Sequence, residues 1–103
     1  MRQMAYDPGA LEATLAAVAG EQSSLIAELR DAFFASADAH VAAMKAATAH
    51  PAWVQSAERL RSLAASFGLN RVMDAAREGA DAPFDDAKAL QRIERALAAL
   101  RPV

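Results

Sequence analysis

One run of residues, Ala57 to Gly68, reading A-E-R-L-R-S-L-A-A-S-F-G, sorts cleanly by side when wound at about 100° per residue. Val54, Gln55, Glu58, Arg61, Ser62 and Ala65 fall within roughly one third of the circumference, while Trp53, Leu60, Leu63, Ala64 and Phe67 gather opposite. An amphipathic helix of this kind commits one side to a core and leaves the other displayed. The partners for that core must also be helices, because no stretch alternates β-branched and aromatic residues as a half-buried strand would. Alanine, at 29 of 103 residues, points the same way: it is the best helix former and lets helix axes approach closely. An all-α fold is expected.

A chain of 103 residues has room for one core, so residues 1–103 are expected to form a single domain. There is no cysteine, hence no disulfide framework and no thiolate metal site, and the composition suits a reducing compartment. Met1 to Pro8 carries one positive charge with no apolar run behind it, unlike a secretory signal, and no stretch approaches the ~20 apolar residues of a membrane span. A soluble, cytoplasmic protein is expected. Net charge is −2, and the nine arginines are interspersed with acids rather than gathered in a block, which argues against nucleic acid or a membrane as partner.

Taken in order, Asp7-Pro8 is a helix start and Gly20 a stop, giving a first helix over roughly 8–19 with Leu11, Leu15 and Val18 inward. Ser23 or Ser24 is placed to cap a long second helix reaching Thr48. Its apolar stripe runs through Leu25, Leu29, Ala32, Phe33, Ser36, His40, Ala43, Met44 and Ala47. Ile26, Phe34 and Val41 lie at or beyond the edge of that stripe, where they either widen it for a second neighbour or form an exposed patch. The third helix follows His50-Pro51, with His50 expected at its N-cap, and ends at Gly68 with Leu69 making the apolar contact of a glycine cap.

Asn70 is placed to cap a short fourth helix, with Val72, Met73 and Ala76 inward and Gly79 as its stop. Phe84, in the loop after it, is expected to tuck under the end of the helices. Asp85 or Asp86 then caps a fifth helix carrying Leu90, Ile93, Leu97 and Leu100 at i, i+3, i+7 and i+10. Short connections between amphipathic helices make sequential neighbours antiparallel. The expected architecture is an up-down-up-down four-helix bundle with the first short helix as a lid.

No catalytic or metal constellation is legible. His40 reads as a core-margin histidine with a hydrogen-bond partner and His50 as an exposed one, and scattered carboxylates do not make a zinc or di-iron site. There is no glycine-rich phosphate loop, and no metal or cofactor is expected.

The segment Ala57 to Gly68 resembles the signature of histidine phosphotransfer (HPt) domains, A-H-x-L-K-G-S-S-x-x-L-G, which carry phosphoryl groups between receiver domains in two-component phosphorelays. The Leu25 to Met44 helix, with Leu29 and the Phe33-Phe34 pair, is similar to the family's second helix, so the resemblance covers nearly the whole chain. Ala57 matches the small residue before the acceptor, Leu60 the buried leucine, Arg61 the lysine, Phe67 the apolar residue and Gly68 the terminal glycine. Glu58 stands where the acceptor histidine belongs. Ser62 replaces the glycine that leaves space for the phosphoryl group, Leu63 and Ala64 replace serines, and Gly79 ends the fourth helix where the family continues with Leu-Glu.

A phosphohistidine needs a neutral imidazole nitrogen as nucleophile, whereas phosphorylating a carboxylate would make a reactive acyl phosphate. The resemblance therefore implies a monomeric, non-enzymatic pseudo-phosphotransfer domain. It would bind a receiver domain of a response regulator or hybrid kinase through Val54, Gln55, Glu58, Arg61, Ser62 and Ala65, as adaptor or competitor. Two alternatives stand beside it. One is an active phosphotransfer protein with an atypical acceptor such as His50; the other is a helical interaction or dimerisation module using the Ile26, Phe34 and Val41 flank. Glu58 and Arg61 at i, i+3 also make an ordinary solvated helix pair.

Overall fold

The computed structural model of the protein describes residues 8–20 and 22–101. These form five helices: α1 (Pro8–Ala19), α2 (Ser23–Ala46), α3 (His50–Ser66), α4 (Asn70–Asp81) and α5 (Ala87–Ala98). No strand occurs among the described residues. None of their helices is long and apolar enough to cross a membrane. Each helix packs on the next in the chain, and α5 returns to α2 through the ion pairs Lys45–Glu94 and Arg101–Asp38, both 2.6 Å.

The α3–α4 junction follows from one glycine. Gly68 adopts φ +67°, a conformation costly for any residue with a Cβ, and this turns the chain so that two orphan carbonyls of α3 find donors. Leu69 N–H donates to Ala64 O at 3.0 Å and Gly68 N–H to Ala65 O at 3.1 Å. Leu69 itself is buried and takes the N-cap position of α4, so Asn70, expected as the cap, is instead the first helical residue. Similar one-residue shifts occur elsewhere: Gln22 rather than a serine precedes α2, and Ala49 rather than His50 precedes α3. Asp86 does stand at the N-cap of α5, but its side chain makes no capping bond. The expected Asp7 cap lies outside the described residues.

Gly79 behaves differently from the expected stop. The helix runs two residues further, to Asp81, and Gly79 is buried inside it. A Cβ there would lie 3.0 Å from Ile93 Cδ1 and 3.6 Å from Met44 Cε, so the residue serves close packing of α2 and α5 against α4. Its carbonyl has no i+4 amide to accept from, because the residue four places on is Pro83. Ala82 N–H donates to it instead at 3.2 Å, and Trp53 supplies a second donor: the indole Nε1–H reaches Gly79 O at 2.8 Å from a fully buried ring on α3. Four helices thus meet at one glycine.

The buried stripe of α2 is Phe33, Phe34, Ala37, Val41 and Met44, rotated from the expected line; Ala32 and Ala43 are exposed. The rotation has a cause, since α2 faces α1 and α3 and also the C-terminal end of α5. Arg101 lies 4.3 Å above the Phe34 ring while pairing with Asp38. Phe34 and Val41 are therefore core residues, and Ile26 is half-buried against the same core, so this flank forms no exposed apolar patch. On α1, Leu11, Leu15 and Ala19 are buried at i, i+4, i+8, which leaves Val18 73% exposed instead of inward. Phe84 is 40% exposed and not tucked under; its ring meets Trp53 edge-on at 6.1 Å.

Replacing Trp53 tests the junction. Trp53→Ala is expected to cost about 3–5 kcal/mol by loss of a large buried ring. Trp53→Phe is expected to cost about 1–3 kcal/mol, from the smaller ring and the loss of the indole's hydrogen bond to Gly79 O. Urea melts of the two variants against the parent chain measure both.

Candidate functional site

The α3 helix is held by one side and shown by the other. Trp53, Ser56, Ala57, Leu60 and Ala64 are buried between α2 and α4, whereas Gln55, Ser62 and Ala65 are exposed. Leu63 and Phe67, expected fully inward, are half-buried, with Phe67 edge-on to Phe33 at 5.1 Å. Thr14 Oγ1 of α1 donates to the Phe67 carbonyl at 3.1 Å, tying the first helix to the end of the third.

The six residues expected on the displayed face do share one side, with a gradient of exposure. Val54 is half-buried and packs against the core, so it forms the edge rather than the middle of the face. Glu58 and Arg61 are half-exposed at the centre, their side chains 43% and 40% accessible. Arg61 donates twice to the same carboxylate oxygen, Nε at 2.8 Å and Nη2 at 2.7 Å from Glu58 Oε1. The pair contributes only a few tenths of a kcal/mol to the helix at this exposure. It can hold the carboxylate in place for an incoming donor; it cannot supply a neutral nitrogen nucleophile.

Neither histidine joins this centre. His50 is exposed in the first turn of α3, eight residues and therefore about 12 Å along the axis from Glu58. His40 is half-buried on α2. Burial lowers its pKa from the ordinary 6.5, and the charge of Arg59 on α3 lowers it further. No cluster of three or more His, Cys, Asp or Glu side chains that could hold a metal ion occurs among the described residues.

A second concave surface was not legible in the sequence. It is a groove of about 640 Å³ between α4 and α5, with Ala75, Ala96 and Ala99 on its floor. The signal existed in the spacing, since Arg71, Asp74, Ala75 and Glu78 on α4, and Arg92, Arg95 and Ala96 on α5 with its C-cap Ala99, both fall at i, i+3, i+4, i+7. What the sequence lacked was the knowledge that these two faces adjoin.

No protein-family model matches the chain, nor does any curated protein or solved structure.

Two outcomes follow for the residues of α2 and α3. Because the unfolded state binds a proton at His40 more readily than the folded state does, stability rises with pH in the window just below 6.5. It is retained above that value and lost progressively as pH falls towards the lowered folded pKa. Denaturation midpoints across pH 5–8 should show this slope, flattened in His40→Gln. Glu58→Ala, by contrast, should change stability by less than about 0.5 kcal/mol at neutral pH, measured by urea unfolding.

Proposed function

We propose that the chain is a degenerate phosphotransfer domain that binds receiver domains of two-component systems and carries no phosphate itself. The observation that carries this is Glu58. It stands at the position that the resemblance gives to the acceptor histidine, in the middle of an outward helix face, half-exposed and held by Arg61. Around it, exposed Ser62 and Ala65 give a small-residue surface along which a partner can approach the helix closely, bordered by Val54 and the exposed Gln55.

The reading includes an architecture, with α2 to α5 as an antiparallel up-down-up-down four-helix bundle and α1 as a lid. Connections of three residues (47–49), three (67–69) and five (82–86) support it, since helices joined this tightly tend to double back. So does the burial of Leu11 and Leu15, which close α1 over the core.

The chemistry divides binding from transfer. A carboxylate with one negative charge offers partial mimicry of a phosphoryl group carrying nearly two, and Arg61 can pair with an acid of the partner when the Glu58 contact loosens. What the face lacks is a nucleophile that gives a stable phosphoramidate. The protein would act as adaptor or competitor, in the cytoplasm where receivers work.

Isothermal titration against the receiver domains of the source organism is expected to give binding to at least one. Glu58→Lys should weaken that binding tenfold or more while leaving the fold intact; no binding to any receiver would end the proposal. Incubation with a phosphorylated receiver should leave no acid-labile label on the parent chain, whereas label at His50 would favour an active phosphotransfer protein instead. Glu58→His supplies the positive arm, since acid-labile label on that variant would mean that the receiver docks with its phosphoryl group at this position.

A further inference from the structure

The α4–α5 groove has a chemistry of its own and shares no residue with the α3 face. Its floor is alanine: Ala75 and Ala96 are buried, Ala99 is buried beside them, and nothing larger fills the space of about 640 Å³ above. Alanine floors admit the side chains of another helix because the two backbones can approach closely. The walls are charged, and unevenly so. Arg71, Asp74 and Glu78 line it from α4, and Arg92 and Arg95 from α5.

Both acids are already engaged from within. Arg77 reaches Asp74 at 3.5 Å, and Arg92 spans the groove to Glu78 at 3.2 Å. Arg95 forms no ion pair among the described residues. Three arginines against two acids give the lining of this channel a surplus of one positive charge, in a chain whose net charge is −2. A basic partner would find both carboxylates occupied and meet repulsion, whereas an acidic one gains charge-assisted bonds to guanidinium groups at the rim.

We infer that the α4–α5 groove docks an acidic amphipathic helix of a partner protein, its large apolar side chains seated on the alanine floor and its flanking carboxylates on the arginine rim. This is the helix-in-groove mode, in which apolar anchors at i, i+3, i+4 and i+7 give affinity and the edges give selectivity. The docking is independent of the α3 face, so a protein bound there can be joined to a second one here.

The test uses two designed helical peptides with the same leucine stripe, one flanked by glutamates and one by lysines, titrated by fluorescence anisotropy into the full chain. The glutamate peptide should bind and the lysine peptide should not. Binding should weaken as salt is raised from 50 to 300 mM. Arg95→Glu, with unchanged circular dichroism, should weaken it tenfold or more. A second variant, Ala98→Gln, places a longer side chain at the exposed end of the groove and should do the same. Amide shifts on binding should centre on Ala75, Ala96 and Ala99. Equal binding of both peptides, undiminished binding in Arg95→Glu, shifts centred on α3, or no binding of the glutamate peptide at millimolar concentration would each overturn the inference.

Discussion

The bond from Trp53 Nε1–H to Gly79 O is the constraint on which the arrangement of helices depends. Pro83 leaves that carbonyl without its i+4 donor, so its backbone bond is the shorter-range one from Ala82 N–H at 3.2 Å. The indole takes the carbonyl's second acceptor position at 2.8 Å from another helix. Because residue 79 has no side chain, Met44 of α2 and Ile93 of α5 close over the same point. One absent amide hydrogen and one absent Cβ therefore bring four helices to a common centre. Phe84 then covers the outer edge of the indole.

That centre also fixes which way α3 faces. With Trp53 committed to α4 and Ala57, Leu60 and Ala64 following it into the core at helical spacing, the opposite side has nowhere to go but outward. Glu58 and Arg61 lie on that side because of where Trp53 lies. The glycine turn at Gly68 works from the other end, stopping α3 before its displayed side can wrap round and sending Leu69 into the core. The same packing sets α4 beside α5 and so creates the arginine-rimmed groove. Fold and candidate surfaces share one cause.

Much of this was legible from local patterns. The bounds of α1, the end of α3 at Gly68 and the sorting of α3 into two faces each follow from a rule acting within a few residues, and each is observed. What failed was non-local. Gly79 reads as a stop because glycine often caps a helix, yet here it is a packing residue, which depends on Met44 and Ile93 arriving from elsewhere. The α2 stripe is rotated because Phe34 and Val41 serve a third neighbour. Val18 is exposed because α1 buries i+8 rather than i+7. The expected serine and asparagine caps are one residue off, with Gln22 and Leu69 at the N-caps and no side-chain capping bond at either. The candidate face was legible through Glu58 and Arg61, and the groove was not, since charges on two separate helices acquire meaning only when they adjoin.

The central claim is that the Glu58 face of α3 is a docking surface for a receiver domain. Amide chemical-shift mapping on titration with a receiver tests it most directly. The account predicts perturbations contiguous over Gln55, Glu58, Arg61, Ser62 and Ala65, with the α1 and α5 amides unmoved. Perturbations confined to another face, or none with a panel of receivers from the same organism, would contradict it.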